Sequence, residues 1–276
     1  MSKLKVAGAE LDYDVQGQGP LVVFIAGAQG SGQIYLPLAG LLKDRFRVLT
    51  YDRRGFSNSA LLGEQDYSRR LETDADDVAA LIGHVGGGPA IVFGSSSGAI
   101  VALQTLLSHP EVVRTLVAHE PPIMQLSPVG EEALAHNNAI YDKYKAEGIP
   151  AAMQEFGARW LAPSDLQFLG ARAATAADPS VFVKNMTYWF EHELRYYPPV
   201  RFDMARLKQL ADRIVLVRGE EMGAHPTTPI IEALAEKLGL GVTELPGAHV
   251  GYAVRPEAFA ADFAALLDQR ARAAAR

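Results

Sequence analysis

The chain has 276 residues, of which 49% are hydrophobic and 21% charged, with a formal net charge of −6 and no cysteine. This length suffices for one large α/β domain or for a core with an insertion, and the lack of cysteine excludes disulfides, thiolate metal sites and cysteine nucleophiles. The sequence has no basic run for nucleic acid, no export signal and no stretch near the roughly 18 apolar residues of a membrane span, so we expect a cytoplasmic protein without nucleic-acid or membrane partners.

The first 120 residues alternate apolar runs with helical patterns. A pair of strands is predicted at the N-terminus, and the later runs are apolar throughout, as in strands that are buried on both faces. Strands and helices in this order predict a mainly parallel, doubly wound α/β sheet with helices on both faces. The predicted strands cover 3–8, 10–16, 21–26, 47–51, 90–94 and 115–119, and the predicted helices cover 33–44, 71–84 and 98–108.

The pattern changes between residues 121 and 206, where helical stretches rich in aromatic residues replace the strands. Alternation then resumes, with strands predicted at 213–217 and 241–245 and helices at 227–238 and 256–272. We therefore predict that 1–120 and 207–276 form one α/β core and that 121–206 is a helical cap inserted into it.

The most specific motif is Gly94-Ser95-Ser96-Ser97-Gly98, at the junction of a buried strand and a helix. In the pattern G-x-S-x-G, the serine occupies a strained turn, and small residues two positions before and after it let strand and helix approach closely. Only Ser96 has glycine at both positions, so Ser96 is the candidate nucleophile. The glycine spacings of dinucleotide-binding and phosphate-binding loops, which are the competing interpretations, are absent.

The candidate general base is His249, in the loop 246–251 between the last predicted strand and the last predicted helix. Loops at the carboxyl ends of parallel strands are where such sheets hold catalytic groups. The order of serine before histidine also fits the nucleophile motif. Other histidines are predicted at helix ends, in the cap or before a proline, where we expect structural roles.

Four segments of the sequence resemble the α/β-hydrolase superfamily. They are the glycine loop at 26–32, the segment 52–59 after the second core strand, the serine motif and the His249 loop. The resemblance covers most of the chain outside the cap. It implies an α/β-hydrolase fold, and it also implies a catalytic acid in a G-x-x-D pattern after the strand that follows the cap. Here Met222 occupies the position of that aspartate.

Glu120 is the candidate replacement for the missing acid. It ends the strand that follows the nucleophile helix, and this strand neighbours the nucleophile strand in a doubly wound sheet. The segments 95–98 and 119–121 resemble the zearalenone lactonases, which carry an acid at this strand end. Glu220 and Glu221 remain alternatives.

The resemblance further implies an oxyanion hole made of backbone N–H groups. One donor is the N–H of Ser97, and Gly27 or Ala28 supplies the other. The aromatic cap indicates an apolar roof over the pocket. No metal and no cofactor are expected, and the candidate lining residues are Tyr188, Trp189 and Phe190.

These residues predict hydrolysis of a small, largely apolar ester or lactone through an acyl-enzyme. Amide or carbon–carbon bond hydrolysis would use the same groups. A peracid-forming or acyl-transfer enzyme resembling the cofactor-free haloperoxidases is an alternative, as is a non-catalytic ligand receptor, which the lack of an aspartate at position 222 would favour. The natural substrate and the choice between monomer and homo-oligomer stay open.

Overall fold

The computed structural model describes residues 2–274, and these residues form a sheet of nine strands between layers of helices. The strands are β1 (Ser2–Val6), β2 (Ala9–Gln16), β3 (Leu21–Ile25), β4 (Arg47–Tyr51), β5 (Ala60–Leu61), β6 (Ala90–Ser95), β7 (Val113–His119), β8 (Ile214–Gly219) and β9 (Val242–Leu245). Their order is β1-β2-β4-β3-β6-β7-β8-β9, and β5 pairs with β2. Pairing is parallel from β4 to β9 and antiparallel at β1, β2 and β5. The predicted α/β fold with a mainly parallel sheet is confirmed.

Helices cover both faces of the sheet, and they are α1 (Leu36–Leu42), α2 (Arg70–Val85), α3 (Ser97–Ser108), α4 (Gly130–Glu147), α5 (Ile149–Trp160), α6 (Pro163–Ala174), α7 (Pro179–His192), α8 (Met204–Gln209), α9 (Thr228–Leu238), α10 (Gly251–Val254) and α11 (Pro256–Ala274). None of these helices in the described part combines the length and the apolar character that a bilayer crossing needs.

Two hydrophobic cores lie on opposite faces of the sheet, because successive side chains of a strand point to opposite sides. On β3, Val22 and Phe24 pack with α1 and α11, whereas Val23 and Ile25 pack with α2, α3 and α9. All four side chains are fully buried. Burial on both faces explains why this strand is apolar at every position instead of alternating.

The register of β6 and β7 brings two candidate site residues together. Ser95 pairs with His119 at the carboxyl ends of these parallel strands. Ser96 and Glu120 are the next residues along each strand, so they emerge side by side at one edge of the sheet. This is the edge at which open α/β sheets carry their ligand sites.

The helices α4 to α7 lie between β7 and β8 in the chain, and α4, α5 and α7 pack around their own apolar cluster, whereas Phe168 and Leu169 of α6 pack against the core that includes Val22 and Phe24. This cluster includes Ile140, Met186, Trp189 and Phe190, together with Phe56 from the loop after β4. Prolines at the start of α5, α6 and α7 fit the first helical turn, where a missing N–H is no loss. We refer to α4–α7 as the inserted helices.

The predicted elements differ from the structure mainly at their ends. The helix predicted over 33–44 begins as a 3-10 turn at Gly32–Tyr35 and becomes α-helical only at Leu36–Leu42. The strand predicted at 115–119 begins two residues earlier, at Val113. The two-residue strand β5 has no periodic pattern, since it is held by pairing with β2 alone, and it was not predicted.

Candidate active site

Ser96 occupies a sharp turn between β6 and α3, with a φ of 56° that side-chain-bearing residues rarely adopt. A Cβ added at Gly94 would lie 2.2 Å from the Gly98 carbonyl oxygen, and one at Gly98 would lie 2.3 Å from the Ile25 carbonyl oxygen. Only glycine fits at either position. The Ser96 N–H donates to the carbonyl oxygen of His119 at 2.9 Å, which ties the turn to β7.

Glu120 and His249 form a direct hydrogen bond between Oε2 and Nδ1. The second carboxylate oxygen, Oε1, accepts from the N–H of Gly219 at 2.8 Å, so both oxygens are fixed. Glu120 is 5% exposed and, like Ser96, has a positive φ, of 45°. Strain of this kind at two neighbouring strand ends is typical of functional sites.

The pKa values of this pair shift in opposite directions. Burial alone would raise the pKa of Glu120, but the hydrogen bond and charge of His249 lower it to about 2. Burial alone would lower the pKa of His249, but the hydrogen bond and charge of Glu120, with a smaller effect of Asp165, raise it. Each partner therefore stabilises the charged form of the other.

Asp165, on α6, anchors the loop that carries His249. Its carboxylate accepts from the N–H groups of His249 at 3.2 Å, Val250 at 2.9 Å and Ala162 at 3.0 Å, and its side chain is fully buried. Asp165 was not among the predicted site residues. The pattern Ala162-Pro163-Ser164-Asp165 does indicate a helix start with an acid in its first turn, but no local signal relates it to residue 249.

The alternative acids lie away from the imidazole. Glu220 pairs with Arg255 at 2.5 Å, and Glu221 accepts from the hydroxyl of Ser164 at 3.0 Å. Their side chains are 43% and 40% exposed, whereas Met222, at the position of the usual aspartate, is fully buried against Ala162 and Ala248. Of the three glutamates considered, only Glu120 contacts His249.

A second buried histidine, His119, packs beneath His249, with the ring centroids 5.9 Å apart. Its Nδ1 shares a 3.0 Å hydrogen bond with the hydroxyl of Ser95. Burial is the main cause that lowers the pKa of His119 to about 4, so this ring is neutral where a general base would work. The sequence analysis assigned no role to His119 or Ser95.

The predicted oxyanion donors lie near the Ser96 side chain. A Cβ on Gly27 would lie 3.0 Å from the Cβ of Ser96, so the loop after β3 passes directly beside Ser96. Ala28 and Ser97 line the same cavity as Ser96. Ser97 is the first residue of α3, where backbone N–H groups have no partner within the helix.

Ser96, Glu120 and His249 line one cavity between the sheet edge and the inserted helices. Within residues 2–274, the Ser96 hydroxyl makes no side-chain hydrogen bond, and such catalytic contacts often tighten only when substrate binds. Most of the remaining wall is apolar. The larger apolar residues of this wall are Pro121, Pro122, Met124, Phe156, Trp160, Trp189, Leu194, Pro198 and Ile230.

Of the three aromatic residues predicted to line the pocket, only Trp189 does so. Tyr188 lies outside this cavity, and its hydroxyl accepts a hydrogen bond from Arg70 at 2.6 Å. Phe190 stacks on Tyr144, with ring centroids 4.4 Å apart, and is fully buried inside the cluster of the inserted helices. Consecutive residues of a helix point about 100° apart, so three in a row rarely share one wall.

A buried network of ions supports the floor of the cavity, and the sequence analysis did not predict it. Arg53 donates to both carboxylate oxygens of Glu193, at 2.8 and 3.0 Å, and to Asp74 at 2.5 Å. Arg70 also contacts Glu193, at 3.1 Å. Two arginines thus balance two carboxylates, and all four side chains are at most 5% exposed. Arg53 further donates to the carbonyl oxygen of Gly27 at 3.4 Å, which links the network to the loop after β3.

Comparison with known proteins places the chain in a family. The pattern of the alpha/beta hydrolase family matches residues 22–262. An uncharacterized hydrolase of Bacillus subtilis, YraK, is 30% identical over 263 residues, which cover 93% of this chain and 92% of that protein. A zearalenone hydrolase of Bionectria ochroleuca is 27% identical over 257 residues, which cover 90% of each chain.

Solved structures show the same fold. An esterase from Thermogutta terrifontis superimposes with a TM-score of 0.77 at 19% identity, over 98% of this chain and 99% of that one. An enol-lactonase from Burkholderia xenovorans superimposes with a TM-score of 0.72 at 19% identity, over 97% and 100% of the two chains. The chain therefore belongs to the alpha/beta hydrolase family, and it is a hydrolase.

Proposed function

We propose that the protein is a serine hydrolase that cleaves a carboxylic ester or lactone through an acyl-enzyme. The observation that carries this proposal is the hydrogen bond between Glu120 and His249 at the wall of the cavity that also holds the strained Ser96. A nucleophile, a base and an acid that orients the base are the three groups that this chemistry requires.

In the proposed reaction, Ser96 Oγ attacks the carbonyl carbon while His249 Nε2 takes up the hydroxyl proton. The N–H groups of Ala28 and Ser97 hold the resulting oxyanion. Collapse of the tetrahedral intermediate breaks the ester bond, and the leaving alkoxide receives the proton from His249. Water then attacks the acyl-enzyme with His249 again as base, which releases the acid and restores the serine.

Glu120 acts in this proposal as the acid of the triad. It accepts the Nδ1–H of His249, so that Nε2 carries the lone pair that faces the cavity. It also stabilises the imidazolium that forms when Ser96 loses its proton, in line with the raised pKa of His249. Asp165 holds the backbone of the same loop and so fixes where the ring sits.

The proposed substrate is small and largely apolar. Support comes from the apolar wall of the cavity and from the zearalenone hydrolase relative. The charges of the buried ion network at the cavity floor are already paired with one another, so they are not expected to bind a charged substrate.

We further propose that residues 121–206, which include the inserted helices, act as a cap over a core formed by 1–120 and 207–276. Trp189 and Phe156 of this cap contact each other with ring centroids 5.1 Å apart at the cavity.

A panel of esters and lactones of increasing size tests this function, with Ser96→Ala and Ser97→Ala as matched variants. The proposed role of Ser97 uses its backbone N–H, which Ser97→Ala retains, so this variant is expected to keep turnover within a few-fold, whereas Ser96→Ala is expected to lose it. Addition of peroxide distinguishes peracid formation. Equal turnover by the two variants, or no turnover of any ester or lactone by the unmodified protein, would refute the proposal.

A further inference from the structure

Most polar side chains at the cavity wall, outside the proposed catalytic residues, already have partners. Both oxygens of Glu193 are held by arginines, the Tyr197 hydroxyl donates to Asp74 at 2.6 Å, and Thr227 is hydrogen-bonded to His225 at 3.1 Å. These groups have little capacity left for a ligand, and they leave no unpaired charge in the cavity.

Two cavity residues from the inserted helices differ from this pattern. Asn137, on α4, is 2% exposed, and its Oδ1 has no hydrogen-bond partner among the described residues. Its Nδ2 makes only a weak contact of 3.6 Å with the sulfur of Met124. Trp160, at the end of α5, is 5% exposed, and its Nε1–H also lacks a partner within residues 2–274.

Buried polar groups without partners are rare because each one loses its contacts with water and gains nothing in return. Here the two residues that carry them, Asn137 and Trp160, both line the same largely apolar cavity as Ser96. A third unpartnered group is the Oγ of Ser97, the residue that follows Ser96 in the chain. Asn137 and Trp160 instead belong to the inserted helices α4 and α5.

We propose that Asn137 and Trp160 form a subsite for a neutral hydroxyl group of the substrate, so that the substrate is an ester or lactone with a hydroxyl remote from the scissile carbonyl. This inference rests on the proposed function. A hydroxyl both donates and accepts, so it can serve the Oδ1 of Asn137 and the N–H of Trp160, and it suits either orientation of the amide. A carboxylate would instead face an amide oxygen in an apolar wall, and none of the described residues that line this cavity is a lysine or an arginine.

The subsite is tested by binding, separately from turnover. Calorimetry in the Ser96→Ala background compares methyl 3-phenylpropanoate with its 3-hydroxyphenyl and 4-hydroxyphenyl counterparts. At least one hydroxylated ester is expected to bind about tenfold or more tightly than the parent ester, as follows from one buried hydrogen bond. In Ser96→Ala/Asn137→Leu, this preference is expected to disappear. Equal binding of all three esters to Ser96→Ala, or a preference that survives Asn137→Leu, would overturn the subsite.

Thermal unfolding independently distinguishes an asparagine that binds substrate from one that only stabilises the fold. Asn137→Leu removes an unpartnered acceptor, so the melting temperature is expected to stay the same or to rise. The matched variant is Asn185→Leu on α7. Asn185 is 5% exposed, accepts from the Ser57 N–H at 2.7 Å and donates to the Gln29 carbonyl oxygen at 2.9 Å, so its loss is expected to lower the melting temperature. A fall for Asn137→Leu as large as that for Asn185→Leu would overturn the subsite.

The two proposals fail in different measurements. Because binding is measured with Ser96→Ala, the hydroxyl preference does not depend on catalysis. Absence of ester or lactone turnover by the unmodified protein refutes the proposed function and leaves the binding result to decide the subsite. Turnover without a hydroxyl preference refutes the subsite alone.

Discussion

Replacement of Glu120 by glutamine tests the assignment of the acid in the most detail. Glutamine keeps the shape of the side chain and an oxygen that can accept from the N–H of Gly219, now 2.8 Å from Oε1. Its amide nitrogen would then face the Nδ1 of His249 as a donor. The imidazole would have to place its proton on Nε2, which removes the lone pair that takes up the Ser96 proton in the proposed reaction. We expect turnover to fall by about four orders of magnitude, as when a triad acid becomes an amide.

The same variant should also change how the free energy of unfolding depends on pH. The fall of the Glu120 pKa from its ordinary value of 4.5 to about 2 corresponds to about 3 kcal/mol of preference for the carboxylate in the folded state. Since the folded pKa is lowered, this contribution is present above pH 4.5 and is lost as the pH falls toward 2. The same ion pair raises the pKa of His249, so the stability that it gives is complete below pH 6.5 and is lost as the pH rises through the folded pKa of His249.

The difference in unfolding free energy between the unmodified protein and Glu120→Gln should therefore be largest between about pH 4.5 and pH 6.5 and smaller on both sides. Denaturant titrations at several pH values measure it, and initial rates on a responsive ester measure turnover. Glu220→Gln and Glu221→Gln are the matched controls, since both side chains are exposed, and they should change rates by only a few-fold. Loss of turnover in a control, with Glu120→Gln nearly as active as the unmodified protein, would refute the reasoning.

Three further variants test other parts of the site. Asp165→Asn weakens three backbone hydrogen bonds and removes a charge that raises the pKa of His249. The acidic limb of the pH profile of kcat/KM should therefore move to lower pH, and an unshifted limb would contradict this role of Asp165. Arg53→Met leaves two buried carboxylates short of a partner and should cost about 3–5 kcal/mol of unfolding free energy, whereas a change below 1 kcal/mol would contradict a tightly coupled network. Gly30→Ala places a Cβ 2.0 Å from the Phe56 ring at a φ of 64° and should lower the melting temperature by several degrees, so an unchanged value would contradict the geometry.

The fold could be predicted from the sequence because its signals are local. A strand buried on both faces, such as β3, is apolar at every position, and the glycines around Ser96 mark a turn that no larger residue permits. The position of Glu120 beside Ser96 could also be predicted, since strand order alone brings the ends of β6 and β7 together, whereas its role as the acid stays a prediction that also used the resemblance to the zearalenone lactonases. Each of these inferences needs only periodicity, one motif or the topology of a parallel sheet.

The features that were missed depend on contacts between distant segments. Asp165 lies 84 positions before the residue whose N–H it accepts, and Arg53 pairs with Glu193 across 140 positions. Nothing near either residue in the sequence indicates its partner. Tyr188 and Phe190 were assigned to the pocket on composition alone, whereas the rotation of α7 turns only Trp189 toward it.

Covalent labelling with a fluorophosphonate, followed by mass spectrometry of the peptides, measures whether Ser96 is the nucleophile. We expect one adduct, on Ser96, which forms much more slowly in Glu120→Gln and is absent in Ser96→Ala but present in Ser97→Ala. Failure of the unmodified protein to form an adduct, or an adduct on a different serine, would contradict the assignment of Ser96.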